Sequence, residues 1–310
     1  MTKRRVDGAI AALGVVFGVM WATAQVSQSG ATEQRPAMTV KVATVKAPQV
    51  LIQSDGYVPS GLKLSKNPAE GSRNIFGRDD RVPMVSSSYP WSAIGRVEGE
   101  IDSTRMSTCT GTLIAQDLVV TNAHCVFKDG KAHRSMSFAP NLINNQSRDR
   151  AVVVSAVVGT NRPENEPTKD WAILKLDQAL GRKYGWMEWA SADVPTLVEL
   201  REQFALAGYS NDFPKEQGGS TAGVHLGCSI RGFEPQFGLA MHDCDMTSGA
   251  SGGAIFTISQ KGIGKIVALN VAERKNPEGK YPAEFSRETA NYAVLTREWA
   301  GAAQELRAGR

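Results

Sequence analysis

From residue 91 onward, short apolar runs alternate with turn residues along the chain. The pair Gln116-Asp117 and the glycine-containing segment 261–264 separate neighbouring runs, as turns do. Many short strands at roughly even spacing favour an all-β sandwich or barrel. The segment 296–306 is rich in Ala, Glu and Arg and predicts a C-terminal helix on the barrel surface. The runs that we predict as strands are 112–115, 118–121, 151–158, 171–176, 204–207, 254–258 and 265–271.

The N-terminus has the pattern of a secretory signal peptide. Basic residues at 3–5 precede an apolar stretch over 8–22, and Ala22-Thr23-Ala24 fits the small-residue cleavage signal. The apolar stretch is shorter than the roughly 20 residues that a spanning helix needs, although an uncleaved membrane anchor is the alternative. We therefore predict a signal peptide over 1–24, export to the periplasm or the medium, and no stable membrane association afterwards.

The basic excess of the chain is confined to its N-terminal part. The whole chain carries a formal charge of +4, whereas residues 74–310 hold 26 basic and 27 acidic residues. No basic patch in that larger part indicates nucleic-acid binding, so we predict no nucleic-acid partner. The hydrophobic content of 42% and the charged content of 21% are those of an ordinary globular protein.

Four cysteines form two pairs, each with members sixteen residues apart: Cys109 and Cys125, Cys228 and Cys244. An even number of cysteines in an exported protein indicates disulfides. The sequence does not fix their connectivity, and local pairing within each pair is our hypothesis. The alternative is a zinc site in which His225 and His242 join the second pair, but its spacing is unlike the usual C-x-x-C knuckle.

One serine, Ser251, lies in a glycine-rich segment, "CDMTSGASGGAIF" over 244–256, directly before an apolar strand. A serine hydroxyl is a poor nucleophile until a base takes its proton. His124 directly follows a predicted strand, and Asp170 begins another, where its carboxylate could fix the tautomer of an imidazole. Each residue alone has a structural explanation, but together they predict a nucleophile, a base and an orienting carboxylate.

The glycines of the same segment fit a second chemical need. A tetrahedral intermediate requires two hydrogen-bond donors for its developing oxyanion, and the backbone N–H groups of Gly249 and Ser251 are the candidates. A side chain at position 249 would crowd the substrate and resist the required backbone angles.

Three segments resemble the active-site segments of the chymotrypsin-fold serine proteases: "TNAHC" at 121–125, "DWAIL" at 170–174 and "GASGGAIF" at 249–256. Residues 75–81, 89–95 and 291–294 resemble the bacterial glutamyl-endopeptidase-like branch of that family. The resemblance covers roughly 74–306 and implies two six-stranded antiparallel β-barrels with the active site between them. It further implies that His124 is the general base, Asp170 its orienter, Ser251 the nucleophile and Gly249 an oxyanion donor.

The resemblance also implies protein or peptide substrates and a mechanism that needs no cofactor or metal, and we expect a monomer. It places the start of the mature domain near Asn74. We therefore predict a propeptide over 25–73, removed by a cut after Arg73, and a protease domain over 74–310. The competing hypothesis is a catalytically silent, protease-like binding protein.

Three positions bear on regulation and specificity: two depart from a branch of the family, and one agrees with the trypsin-like branch. Ala250 stands where animal digestive relatives have the aspartate that pairs with the new N-terminus after activation. Asn270 stands where glutamyl-specific members have a histidine that meets the substrate carboxylate. Asp245, six residues before Ser251, stands where the trypsin-like branch binds Lys or Arg. Asp245 and Asn270 are thus the candidate substrate-binding residues, and basic specificity is favoured over acidic specificity.

Overall fold

The computed structural model of the protein describes residues 38–44, 53–68, 79–273 and 285–309. The predicted signal peptide and the expected cut after Arg73 lie outside the described residues. No helix among the described residues is both long and apolar enough to cross a membrane.

Strands dominate the described chain, as the sequence predicts. The helices are α1 (Gly181–Tyr184), α2 (Val194–Glu199) and α3 (Ala300–Arg307), with 3₁₀ turns at Trp91–Ala93, Ala123–Cys125, Pro167–Lys169 and Thr296–Glu298. The strands are β1 (Thr39–Val42), β2 (Arg81–Pro83), β3 (Ile94–Glu100), β4 (Met106–Leu113), β5 (Leu118–Thr121), β6 (Phe127–Lys128), β7 (Lys131–Ala132), β8 (Met136–Pro140), β9 (Ala151–Val158), β10 (Ala172–Leu176), β11 (Glu188–Trp189), β12 (Phe204–Gly208), β13 (Gly223–Cys228), β14 (Ile230–Glu234), β15 (Leu239–His242), β16 (Ala254–Ile258), β17 (Gly264–Ala272) and β18 (Asn291–Leu295).

The first large sheet closes into a barrel. Its order is β1-β9-β10-β5-β4-β3-β8, and an additional pairing between β8 and β9 joins the two ends of six strands. Strand β9 alternates buried and more exposed residues along much of its length, whereas all four residues of β5 are buried. Such alternation turns one set of side chains toward the interior of the barrel and the other outward, which is the pattern of a barrel wall.

The second large sheet has the order β14-β15-β18-β17-β16-β12-β13-β2, and β11 pairs with β17 beside this path. Two of its nine strands are short additions, β2 at one end and β11 beside β17, and the remaining seven strands are one more than the six expected for the second barrel. The predicted C-terminal helix is confirmed as α3, which follows the fully buried Trp299. The all-β fold class is confirmed.

Both disulfides pair locally, as predicted. The bonds join Cys109 to Cys125 and Cys228 to Cys244. The second bond leaves neither of its cysteines as a thiolate, so the alternative zinc site lacks half of its ligands.

Part of the segment predicted as a propeptide packs against the barrels. Strand β1 pairs in parallel with residues 155–158 of β9. Tyr57 stacks on Trp186 with ring centroids 4.4 Å apart, and the indole N–H of Trp91 donates to the Ser65 carbonyl at 2.8 Å. Residues 39–42, Tyr57 and Ser65 therefore contribute wall and surface contacts to the fold.

Candidate active site

His124 and Asp170 meet where neighbouring strands of the first barrel end. Strands β5 and β10 are antiparallel with Thr121 opposite Ala172, so the residue after one strand approaches the residue before the other. The Nδ1 of His124 lies 2.7 Å from Oδ2 of Asp170, and the backbone N–H of His124 donates to Oδ1 at 2.9 Å. An ionised carboxylate only accepts hydrogen bonds, so Nδ1 carries the proton and Nε2 of the neutral ring is free of one.

Asp170 and His124 are held in place from both sides. The Asp170 side chain is 7% exposed, and the amide of the fully buried Asn122 donates to the Asp170 carbonyl at 2.7 Å. His124 lies in a single 3₁₀ turn whose last residue, Cys125, is bound through sulfur to Cys109 on β4. The backbone on each side of the imidazole is therefore tied to the barrel wall.

The environment of His124 favours its charged form. Burial by itself would lower the pKa of His124, but the attraction of Asp170 and the hydrogen bond to it outweigh burial, and the pKa is raised above its ordinary value. The Glu273 carboxylate acts in the same direction. A base with this environment holds a proton more readily than a free imidazole does.

Ser251 lies beside the segment that carries His124. The Ser251 carbonyl accepts the backbone N–H of Thr110 at 2.8 Å and lies 3.9 Å from the sulfur of Cys125, the neighbour of His124. Among the described residues no hydrogen bond links the Ser251 hydroxyl to His124, and such bonds are often long when no substrate is bound. The fold thus brings the serine and histidine segments together across the interface of the two sheets.

The peptide group between Ser248 and Gly249 has a fixed orientation. The backbone N–H of Asn211 donates to the Ser248 carbonyl at 2.7 Å. In a trans peptide the N–H points away from the carbonyl, so this bond directs the Gly249 N–H to the opposite side. Within the described part of the chain, neither this N–H nor that of Ser251 donates to a protein acceptor. These two donors are therefore not committed to a protein acceptor among the described residues.

Glycine is required at two positions of this loop. Gly249 has φ +97°, and a Cβ there would lie 2.3 Å from the Tyr209 carbonyl oxygen. Gly252 has φ +80°, and a Cβ there would lie 2.1 Å from the hydroxyl oxygen of Thr121. Both the backbone angles and the lack of space exclude a side chain.

Comparison with known proteins identifies the family. A family model described as the trypsin-like peptidase domain matches residues 109–269, slightly more than half of the chain. The chain belongs to the trypsin-like peptidase family.

Individual relatives are distant. Serine protease 23 of Bos taurus is 27% identical over 226 residues, which cover 64% of this chain and 55% of that protein. The chain therefore spans about half the length of the curated relatives it matches. A solved Glu endopeptidase in complex with MPD has a TM-score of 0.57 and 21% identity, with 76% of this chain and 100% of the other covered. The thermostable serine protease AL20 has a TM-score of 0.52 and 17% identity, with 69% and 98% covered.

The two candidate specificity residues of this trypsin-like domain have different environments. The Asp245 carboxylate accepts the backbone N–H of Asp80 at 2.9 Å and lies 3.5 Å from Nδ1 of His225. Burial raises the pKa of Asp245, and the bond from Asp80 only partly opposes it. The side chain is 36% exposed, so a ligand could reach it.

Asn270 is 1% exposed and lies behind the nucleophile segment. Its amide donates to the Ala250 carbonyl at 3.2 Å, and its Oδ1 lies 3.1 Å from Nε2 of His242. Both polar groups of the Asn270 side chain are thus used within the domain. Its predicted role toward substrate stays a prediction.

His242 is a buried neutral histidine. Its Nδ1 accepts the backbone N–H of Cys244 at 3.3 Å, so the proton is on Nε2 and is donated to Asn270. Burial lowers the pKa of His242 to about 4 from an ordinary 6.5.

This depressed pKa predicts acid sensitivity of the fold. In the unfolded chain His242 is protonated below about pH 6.5, whereas in the folded chain it stays neutral down to about pH 4. The contribution of His242 is complete above pH 6.5, and by pH 4 it should have fallen by about 3 kcal/mol. The variant His242→Gln keeps a donor for Asn270 but has no titrating group there. Between pH 6.5 and pH 4 its free energy of unfolding should therefore fall by about 3 kcal/mol less than that of the wild type. Urea unfolding at both pH values measures this, and equal losses in the two proteins would contradict it.

Sequence reasoning found the residues that lie in contiguous motifs but missed their supports. Asn211 and Thr110, which hold Ser248 and Ser251, carry no sequence signal, because their contacts join segments that are far apart in the chain. The catalytic and substrate-binding roles of the predicted residues stay predictions.

Proposed function

We propose that this protein is a serine endopeptidase that hydrolyses peptide bonds through an acyl-enzyme on Ser251. The observation that carries the proposal is the two-point hold of Asp170 on His124, directly beside the serine segment. Membership of the trypsin-like peptidase family supports the same reaction class. The two unused N–H groups of Gly249 and Ser251 supply the donors that this reaction needs.

In the proposed reaction the Ser251 oxygen attacks the carbonyl carbon of the scissile bond while its proton passes to Nε2 of His124. Asp170 stabilises the resulting imidazolium, and the N–H groups of Gly249 and Ser251 donate to the oxyanion. Collapse of the tetrahedral intermediate breaks the C–N bond, and the leaving amine takes the proton from His124. Water then attacks the ester by the same route, which releases the carboxylic acid and restores the Ser251 hydroxyl.

The protein is further proposed to act outside the cytoplasm on protein or peptide substrates. Two disulfides support an oxidising compartment, and the N-terminal pattern supports export. The proposed signal peptide is 1–24 and the proposed propeptide 25–73. N-terminal sequencing of the exported protein decides both boundaries, and a terminus at residue 25 would exclude the cut after Arg73.

For primary specificity, the proposal is that Asp245 binds a Lys or Arg side chain before the scissile bond. The contacts of its carboxylate among the described residues are a backbone N–H and a nearby imidazole. A half-buried carboxylate without a strong cationic partner is costly, and a basic substrate side chain would offset that cost. The raised pKa of Asp245 reflects the same lack of compensation.

A peptide library varied at the residue before the scissile bond tests both the reaction and the specificity. We expect the wild-type enzyme to prefer Lys and Arg, and Asp245→Asn to lower kcat/KM for these peptides by roughly 10²-fold or more. Asp102→Asn is the matched control, because Asp102 pairs with Arg105 in the turn between β3 and β4.

The library separates the two parts of the proposal. A preference for glutamate would contradict the role of Asp245 but leave the peptidase reaction standing. Absence of cleavage by wild-type protein on every peptide would contradict the reaction itself.

A further inference from the structure

Arg81, at the start of β2, is a buried cation held between two carboxylates. Its side chain is 5% exposed, and its guanidinium donates to Asp79 at 2.7 and 2.8 Å and to Asp212 at 2.9 and 3.1 Å. The guanidinium also lies 5.0 Å from the ring centroid of Phe213. Burial opposes the charge, but the bonds to Asp79 and Asp212 outweigh it and raise the pKa of Arg81. The planar guanidinium makes paired contacts with each acid that a lysine could not reproduce.

Asp212 connects Arg81 to the loop 244–251, which ends at Ser251 and is called the nucleophile loop below. It accepts the hydroxyl of Thr247, four residues before Ser251. The residue next to it, Asn211, donates its backbone N–H to the Ser248 carbonyl at 2.7 Å. A single short segment, 211–212, therefore contacts two consecutive residues of the nucleophile loop.

A second contact links the same part of β2 to that loop. The backbone N–H of Asp80 donates to the Asp245 carboxylate at 2.9 Å. Residues 80 and 81 thus reach the nucleophile loop both directly, at position 245, and through Asp212, at position 247.

The orientation of the oxyanion donor depends on these contacts. The Gly249 N–H points toward a substrate only while the Ser248 carbonyl points toward Asn211. The backbone of Gly249 is permissive, so rotation of that peptide has little intrinsic steric barrier and must be prevented from outside. Position 250, where animal relatives have an ion-pairing aspartate, is alanine in this chain.

We propose that Arg81 is a positioning residue for catalysis: by fixing Asp212 it holds segment 211–212 against Thr247 and Ser248 and so keeps the Gly249 N–H directed at the oxyanion. The inference rests on the proposed peptidase function. On this inference the buried Arg81 orders the loop that orients the Gly249 N–H.

Three variants test this role at different points of the chain of contacts from Arg81 through Asp212 to Thr247, which is called the relay here. Arg81→Lys keeps the charge but cannot contact both acids in pairs, Asp212→Asn removes the charge of the link, and Thr247→Val removes only the hydroxyl contact. The last variant leaves the buried ion pairs intact, so it tests the relay even where the first two impair folding. Arg105→Lys is the control, because Arg105 pairs with Asp102 at the surface.

The measurements separate positioning from general stability. We expect kcat to fall about 10-fold or more in each relay variant while KM for a short peptide changes less than about twofold, because an oxyanion donor acts mainly in the transition state. Affinity for a peptide aldehyde, whose hemiacetal oxygen occupies the oxyanion position, should fall by the same factor as kcat/KM. The acid limb of the pH profile should stay in place, since the contact between His124 and Asp170 is untouched.

The outcomes distinguish this inference from the function on which it rests. Inactive wild-type protein would overturn the peptidase proposal. Active wild-type protein, with kcat and aldehyde affinity unchanged in folded Asp212→Asn and Thr247→Val variants, would overturn the role of Arg81 alone. A parallel rise in KM with constant kcat would also overturn it, because it would indicate lost substrate binding.

Discussion

Ser251→Ala is expected to lower kcat/KM by roughly 10⁶-fold, because it removes the only atom that forms the acyl-enzyme bond. Residual cleavage would come from the oxyanion donors and from substrate binding. The same substitution should abolish covalent labelling by a fluorophosphonate, which reacts with an activated serine hydroxyl. Peptide cleavage and mass spectrometry of the labelled protein measure the two effects independently.

Ser103→Ala is the matched control for this experiment, because Ser103 is exposed in the turn between β3 and β4. It should cleave and label like the wild type. Labelling of the Ser251→Ala protein would show that another residue is the nucleophile. A wild-type protein that neither labels nor cleaves would favour the protease-like binding protein instead.

Asp170→Asn is expected to lower kcat by about 10⁴-fold at neutral pH, because an amide can stabilise the wrong imidazole tautomer and cannot stabilise the imidazolium. It should also move the acid limb of activity. The base works only when His124 is neutral, so activity falls as the pH decreases through its pKa. Asp170 raises that pKa, which puts the wild-type limb above the ordinary value of 6.5, and loss of the carboxylate should shift the limb to lower pH.

Rates between about pH 5 and 9 measure this shift, with Asp177→Asn as the control. Asp177 directly follows β10, whereas Asp170 lies before it, and its carboxylate accepts only the N–H of Val152 among its side-chain hydrogen bonds in the described chain. The control should keep the wild-type limb. A limb that stays in place or moves to higher pH in Asp170→Asn would contradict the proposed role of Asp170.

The sequence predicts best those strands in which few polar residues interrupt the apolar ones. The runs 254–258 and 265–271 correspond to β16 and β17 within a residue at each end. Strand β3, with sequence "IGRVEGE", escapes prediction because two glycines and three charged residues break its pattern. Close packing between strands requires a glycine at position 95, because a Cβ there would lie 2.5 Å from the Phe138 ring. That requirement becomes visible only when β3 and β8 are paired.

The candidate site divides in the same way. Residues His124, Asp170 and Ser251 lie in short motifs whose local chemistry can be recognised before any fold is known. The contact between Arg81 and Asp212 spans 131 positions of the chain. Arg81 ends the segment 75–81 that carries part of the family resemblance, but nothing in that segment indicates Asp212 as its partner. Only the pairing of β2 with β13 in the second sheet brings the Arg81 segment to this part of the domain.

On the proposed maturation route, which removes residues 25–73, the packing of β1 would give that removal a conformational cost. Its four residues pair with 155–158 of β9, and the Tyr57 ring covers the Trp186 indole. A peptide cut alone would leave the segment that contains β1 bound to the barrel wall through these contacts. Its departure would bare a sheet edge, and bare edges recruit strands from other molecules into aggregates. If residues 25–73 are a propeptide as proposed, the segment that carries β1 would thus also protect the protein from self-association before its removal.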